Sequence, residues 1–174
     1  MTHVLLLRGI NVGKAKRVAM ADLRALVASL GCTDVKTLLN SGNVVCTTAK
    51  PDGLAARVEK AMTSKLGVTA RVTAISADEL AAIVGGHPLE GVATDPSRLL
   101  VAVLEDVKDR PKLVALSKQD WASERIEVGK RWAYLWLPDG VIQSRLAKAM
   151  DKSLGDAVTS RNWTTITKLA AMAG

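Results

Sequence analysis

The run VKTLLNSGNVVCT, from Val35 to Thr47, decides the architecture of the first half of the chain. Two apolar, β-branched segments, Val35–Leu39 and Val44–Thr47, flank the polar stretch Asn40–Asn43, which contains one glycine. Two strand-like segments joined by a short turn rich in Asn and Gly are typical of an antiparallel hairpin. We therefore predict a β-hairpin here.

The segments on either side of this hairpin extend the pattern. Upstream, Val4–Leu7 has the composition of a short buried strand, and apolar residues recur at helical spacing over Met20–Leu30. Downstream, a second helical stripe over Leu54–Met62 precedes the alternating segment Ala70–Ile75. The order β-α-β-β-α-β predicts an α+β fold with a ferredoxin-like N-terminal subdomain, in which two helices cover one face of a four-stranded antiparallel sheet.

The second half of the chain is less regular and begins after the glycine-rich segment GGHPLEG, Gly85–Gly91, which we interpret as a linker. Its predicted strands are Leu99–Leu104, Arg125–Val128 and Arg131–Leu137, and its predicted helices are Lys112–Ser117, Ser144–Leu154 and Asn162–Ala173. We therefore predict two subdomains, a ferredoxin-like one over residues 1–86 and a smaller α+β one over residues 87–174.

The chain is basic, and much of its excess charge lies at the N-terminus. The 174 residues contain 24 Lys and Arg against 17 Asp and Glu, a net charge of +7. Residues 1–21 contain Arg8, Lys14, Lys16 and Arg17 and no acidic residue. Such a local excess attracts phosphate groups and polyanions. Many small basic proteins bind no nucleic acid, so a solvated basic surface is the alternative interpretation.

Several of these basic residues lie in the loop RGINVGK, Arg8–Lys14, which connects the first strand to the first helix. Gly9 and Gly13 can adopt positive φ, which lets backbone N–H groups converge on an anion, and a helix N-terminus follows. The loop matches neither the Walker pattern nor the dinucleotide pattern GxGxxG. It is therefore either an anion-binding loop or a tight turn.

Aromatic residues are confined to the second half, and Trp132, Tyr134 and Trp136 alternate along one predicted strand. Residues two apart on a strand share a face. If that face is exposed, the strand could stack bases or contact a partner protein. If it is buried, the three rings fill the core of a chain that contains no Phe.

The C-terminal segment TSRNWTTITKL, Thr159–Leu169, resembles the start of a helix, with Ser160 or Asn162 as its N-cap. We expect this segment, the Arg8–Lys14 loop and the hairpin turn to line one shallow basic cleft. The candidate ligand-binding residues are Arg8, Asn11, Lys14, Arg17, Ser41, Asn43, Arg161, Asn162 and Lys168.

The remaining reactive residues predict no further chemistry. Cys32 and Cys46 lack the spacing of a metal knuckle or a redox pair, and His3 and His87 are far apart. We therefore predict no metal and no cofactor, and the sequence leaves any catalytic residue unassigned. No apolar run approaches the roughly 18 residues of a transmembrane helix, and no secretory signal is recognisable. We expect a cytoplasmic protein without a membrane partner.

Four segments together are similar to one known family. LLRGINVG, MADLRALVASLG, SGNVV and TSRNWTTITKL occur in this order and resemble the bacterial family called domain of unknown function 1697. The resemblance spans almost the whole chain and implies a cytoplasmic protein of two α+β subdomains, the first ferredoxin-like. It implies no activity, cofactor or partner. Asn40 replaces a common glutamine, and Cys46 replaces a common phenylalanine.

These observations favour a protein that binds a phosphate-bearing ligand or a nucleic acid through the basic cleft. One alternative is an enzyme that acts on a phosphorylated small molecule and uses the same residues for electrostatic stabilisation. Another is a protein-interaction module whose contact surface is the aromatic strand 132–136.

Overall fold

The computed structural model describes all residues, 1–174. The protein has a mixed α+β fold with two four-stranded antiparallel sheets and six α-helices. Residue contacts divide it into two compact units, which we describe separately. Unit 1 comprises Met1–Ala81 and Leu169–Gly174, and unit 2 comprises Ala82–Lys168. None of the helices is long and apolar enough to cross a membrane.

Unit 1 contains the first sheet and the elements around it. In chain order these are β1 (Thr2–Arg8), α1 (Met20–Ser29), β2 (Thr33–Leu38), β3 (Asn43–Thr47), α2 (Leu54–Ala61), β4 (Arg71–Ser76) and the start of α3 (Ala77–Gly85). Helix α2 continues into a π-helical turn, Met62–Leu66. The strand order is β2-β3-β1-β4 with every neighbouring pair antiparallel. The predicted element order and the single antiparallel sheet are confirmed.

Helices α1 and α2 pack on the same face of the sheet of unit 1. Leu23 of α1 and Val58 of α2 share one buried cluster with Leu5, Leu7 and Val44 of the central strands. Leu5 and Leu7 are two residues apart on β1 and therefore point to the same face. The helical spacing in the sequence predicts this arrangement, because it gives each helix a single apolar stripe.

The turn of the first hairpin differs from its predicted position. Its residues are Leu39–Gly42 rather than Asn40–Asn43, because Leu38 and Asn43 are the last paired residues of the two strands. Leu39 has φ 60° and cannot continue the strand, although its apolar side chain is typical of one. Asn43 is the first residue of β3, but as a polar residue it is assigned to the turn when only the sequence is considered.

Unit 2 repeats the topology of unit 1. Its elements are β5 (Leu99–Leu104), α4 (Arg110–Ser117), β6 (Arg125–Val128), β7 (Trp132–Trp136), α5 (Arg145–Leu154) and β8 (Val158–Asn162), followed by α6 (Trp163–Ala173), which ends in unit 1. The strand order β6-β7-β5-β8 corresponds position by position to β2-β3-β1-β4. Residue contacts place residues 82–86 in unit 2 and Leu169–Gly174 in unit 1. The division into subdomains over residues 1–86 and 87–174 stays a prediction.

Strand β8 is absent from the sequence-based prediction, which assigns this region to a helix cap. It pairs with β5 from Leu104 opposite Val158 to Leu100 opposite Asn162. The sequence VTSRN contains one strongly apolar residue, so it has no alternating pattern from which a strand could be predicted. Pairing with the buried strand β5 overrides this weak local preference.

The aromatic strand β7 is buried on both faces. Trp132, Tyr134 and Trp136 are 8%, 3% and 8% exposed. The Tyr134 hydroxyl donates to the Ile83 carbonyl at 2.6 Å and accepts from the Trp132 indole N–H at 3.2 Å. The core interpretation of this strand is therefore correct. Base stacking and protein contact on it both require an exposed face, and the structure contradicts them.

Candidate functional site

The connection between β1 and α1 is a structured loop. The Asn11 N–H donates to the Lys16 carbonyl at 2.9 Å. Between these two residues, Val12 and Ala15 form an antiparallel β-bridge. Gly9, Asn11, Gly13 and Lys16 all have positive φ, between 51° and 86°. The loop therefore folds back on itself as a miniature hairpin rather than forming an open ring of N–H groups.

The side chain of Asn11 fixes this loop to its surroundings. Its Nδ2 donates to the carbonyls of Val18 at 3.0 Å and Asn40 at 2.7 Å, and its Oδ1 accepts from the Val18 N–H at 2.8 Å. Both amide donors and the acceptor are thus used. The sequence predicts that the loop and the hairpin turn line one cleft; the bond to Asn40 joins these two segments, and the cleft itself stays a prediction. Asn11 is a positioning residue.

The hairpin turn is also hydrogen-bonded to strand β1. The Leu7 N–H donates to the Gly42 carbonyl at 2.8 Å. Asn43 is fully buried, and its Nδ2 donates to the Leu38 carbonyl at 2.8 Å and to the Ser41 hydroxyl at 3.1 Å. Asn43 therefore shapes the turn from inside, whereas Ser41 is exposed. We call the loop Gly9–Ala19 together with the turn Leu39–Gly42 the loop edge of unit 1.

A shallow depression of about 300 Å³ lies in the loop edge. Its lining residues are Asn11, Arg17, Val18, Ala19, Met20 and Asn40. Ala19 is the N-cap of α1 and supplies no side-chain acceptor, so the first-turn N–H groups of the helix lack a side-chain cap. The N-terminal end of a helix carries a partial positive charge. The depression is therefore a polar, electropositive surface.

The charged side chains of the loop edge differ in their hydrogen-bond partners. Lys14 and Arg17 are exposed and make no hydrogen bond or ion pair. Lys16 is also exposed, but its ammonium group lies 3.4 Å from the Thr69 carbonyl. Asp22, in the first turn of α1, is the one acidic residue among residues 1–33. The local charge is thus strongly positive.

Arg8 lies at the end of β1, opposite Arg71 of β4, and is half-buried. Two cations directly opposite each other on a sheet repel. The Glu59 carboxylate partly balances this charge, because its Oε1 lies 3.9 Å from Arg71 Nε and accepts from the Val72 N–H at 2.8 Å. Arg8 therefore belongs to a strand-end charge cluster.

The other three candidate residues lie in unit 2. Arg161, on β8, donates to the Ser160 carbonyl at 2.9 Å. Asn162 Oδ1 accepts from the Thr165 N–H at 2.9 Å, which confirms it as the N-cap of α6. Lys168 is exposed. The cleft predicted to join these residues to the loop edge stays a prediction.

Two features of the loop edge are missing from the sequence-based prediction. Val12 and Leu39 are 67% and 58% exposed, although both are apolar. Leu39 also has φ 60°, in the left-handed region that leucine rarely adopts. Apolar residues in a loop or beside a turn are ordinarily assigned to the core, so no local signal in the sequence reveals this exposure.

The two cysteines lie inside unit 1. Cys32 and Cys46 are 4% and 1% exposed and unbridged. Burial, and next the thiol of Cys32, which hydrogen-bonds to Cys46, raise the pKa of Cys46 to about 12. No group of three or more His, Cys, Asp or Glu side chains is placed to hold a metal ion.

Comparisons with known proteins show the family and the fold. A family model described as a protein of unknown function, DUF1697, matches residues 1–134. A solved structure of a conserved bacterial protein from Streptococcus pneumoniae is 21% identical, with 99% of this chain and 98% of that chain covered and a TM-score of 0.81. A candidate chlorite dismutase is 14% identical over 99% of this chain and 98% of that chain, but its TM-score of 0.23 supports no inference. A search of curated proteins gives no significant match.

Proposed function

Because the chain belongs to DUF1697, a family of proteins of unknown function, we propose its function from the geometry of the site: the loop edge of unit 1 binds the phosphate group of a ligand. The observation that carries the proposal is the position of Arg17. Its exposed guanidinium has no partner and lines the depression at the uncapped N-terminus of α1. A guanidinium and a helix N-terminus both favour a phosphate.

The rigidity of the loop supports the same proposal. A flexible loop loses conformational entropy when it orders around a ligand, and this loss weakens binding. Here the three hydrogen bonds of Asn11 already hold the loop in one shape. The positive φ angles of Asn11 and Lys16 support it as well, because residues held in sparsely populated conformations cluster at ligand-binding sites.

We propose binding rather than catalysis. The lining residues contain no carboxylate, imidazole or thiol. A reaction on a phosphorylated small molecule would therefore depend on Arg17 and the helix N-terminus alone. We also propose that the β-α-β-β-α-β order of unit 1 represents the ferredoxin-like subdomain expected from the sequence, with the loop edge at one end of its sheet.

The proposal is tested by thermal unfolding in a series of inorganic phosphate concentrations at constant ionic strength. A ligand present at 100 times its Kd stabilises the folded state by about 2.7 kcal/mol. We expect phosphate to raise Tm for the wild-type protein and to have no such effect on Arg17→Ala. Lys118→Ala, which removes one exposed positive charge from unit 2, should respond like the wild-type protein. An equal response of all three proteins would contradict a site at Arg17.

A further inference from the structure

We propose that the ligand of the loop edge is a single-stranded nucleic acid, whose phosphates contact Lys14 and Arg17 and whose bases contact Val12 and Leu39. This inference rests on the proposed function, because the phosphate contact at Arg17 is the same. It adds a second, apolar contact, which the bases make with Val12 and Leu39. It also defines the partner as a chain with both anionic groups and flat apolar groups.

The apolar part of the surface is formed by two side chains on separate segments. Val12 and Leu39 are 67% and 58% exposed. Their neighbours Asn11 and Asn40 are joined by a hydrogen bond of 2.7 Å, which brings the two segments that carry these side chains together. A hydrated inorganic anion gains nothing from such a surface, whereas an unpaired base presents an apolar face to it.

The conformation of Leu39 indicates that its exposure is maintained by the fold. Its φ of 60° is disfavoured for leucine, and Asn or Gly would fit that position better. An exposed leucine in a disfavoured conformation is unexpected in a turn whose sole role is to connect β2 and β3. Strained residues of this kind recur at ligand-binding sites.

The charged part of the surface suits a chain of phosphates better than a single one. Lys14 and Arg17 both lie on the loop, are exposed and have no partner. A strand carries one phosphate per nucleotide, so it can contact both cations at once. Single strands also expose the base faces that a duplex hides.

The loop between β5 and α4 in unit 2 is topologically equivalent to the loop between β1 and α1. We compare it with the loop edge as a loop without the proposed role in nucleic-acid binding. It also carries an exposed valine, Val107, at 56%. The cations in and just after this loop, however, are paired with carboxylates: Lys108 lies 3.7 Å from Asp106, and Lys112, in α4, lies 3.3 Å from Asp109. The loop of unit 2 therefore supplies matched controls, Val107→Ser for Val12→Ser and Lys108→Ala for Lys14→Ala.

The experiment measures the affinity of the full chain for a labelled oligothymidylate at several salt concentrations. We expect Lys14→Ala to reduce the slope of log K against log salt by about 1. Val12→Ser and Leu39→Asn should lower the affinity several-fold without changing the slope, because they remove base contacts and not charge. Asn tolerates the φ of position 39, so this variant retains the turn. Both unit 2 controls should match the wild-type protein.

Five results would overturn the inference. Polyglutamate bound as tightly as the oligonucleotide would show a surface that recognises charge alone. A duplex bound more tightly than the single strand would contradict base contact, as would full affinity in Val12→Ser and Leu39→Asn. Absence of oligonucleotide binding at low salt, in a protein that phosphate still stabilises through Arg17, would refute the nucleic acid while leaving the proposed function intact. Absence of both effects would refute both.

Discussion

At the scale of single residues, Gly42 shows how closely the hairpin turn approaches the sheet. Its φ is 94°, and a Cβ at this position would lie 2.7 Å from Leu7 Cβ and 2.9 Å from Ile10 Cδ1. Gly42→Ala therefore combines an unfavourable backbone conformation with a steric clash, and we expect it to lower the free energy of unfolding by about 2 kcal/mol or more. Urea denaturation measures this loss.

Gly13→Ala is the matched control for that variant. Gly13 has φ 59°, but no atom lies within 4 Å of a Cβ added there. It should cost only the backbone conformational energy, about 1 kcal/mol. Equal losses in the two variants would contradict the importance of the close approach to Leu7.

The Cys46 thiol gives a second prediction at this scale. Burial raises its pKa from 9.0 to about 12, so the folded protein retains the thiol proton when the unfolded chain has lost it. Its contribution to stability is complete below pH 9 and is lost as the pH rises from 9 towards 12. We therefore expect negligible alkylation of Cys46 by iodoacetamide at pH 8 in the folded protein, measured by mass spectrometry. Both cysteines should react in concentrated urea, and rapid labelling without urea would contradict the burial.

At the scale of elements, helix α6 depends on the cap that Asn162 provides. Its first turn contains the β-branched residues Thr164, Thr165 and Ile166, which have low helix propensity. Asn162→Ala removes the acceptor of the Thr165 N–H and should lower the free energy of unfolding by about 1 kcal/mol. Thermal unfolding of Asn162→Ala and Ser160→Ala distinguishes the two candidate caps. A larger loss in Ser160→Ala would refute Asn162 as the cap.

Elements with strong apolar patterns could be predicted from the sequence, whereas weakly patterned ones could not. Strands such as Leu99–Leu104 are recognisable because burial requires continuous apolar residues. Strand β8 lacks such a pattern, since its place is determined by pairing with β5. The exposure of Leu39 was also unpredictable, because it depends on a backbone conformation that leucine rarely adopts. Of the candidate site, the sequence predicts the basic loop and its proximity to the hairpin turn, but not the two exposed apolar side chains.

At the scale of the whole molecule, the two units have one topology and very different optical properties. Every Trp and Tyr lies in unit 2, so intrinsic fluorescence reports the unfolding of that unit alone, whereas far-ultraviolet circular dichroism reports both. Helices α3 and α6 each begin in one unit and end in the other. We therefore expect the two signals to change at the same urea concentration. Clearly separated midpoints would show that the units unfold independently.

The hydrogen bonds of Asn11 also bear on the chemical ageing of the protein. Spontaneous hydrolysis of the side-chain amide, in which water replaces the nitrogen and ammonia is released, would turn Asn11 into an aspartate of nearly the same shape. The new carboxylate would point at the carbonyl oxygens of Val18 and Asn40, to which Nδ2 now donates. An ionised carboxylate has no proton to donate, so two attractive contacts would become repulsive. Aged molecules should therefore separate by charge as a more acidic species. In this species the loop is no longer hydrogen-bonded to the turn.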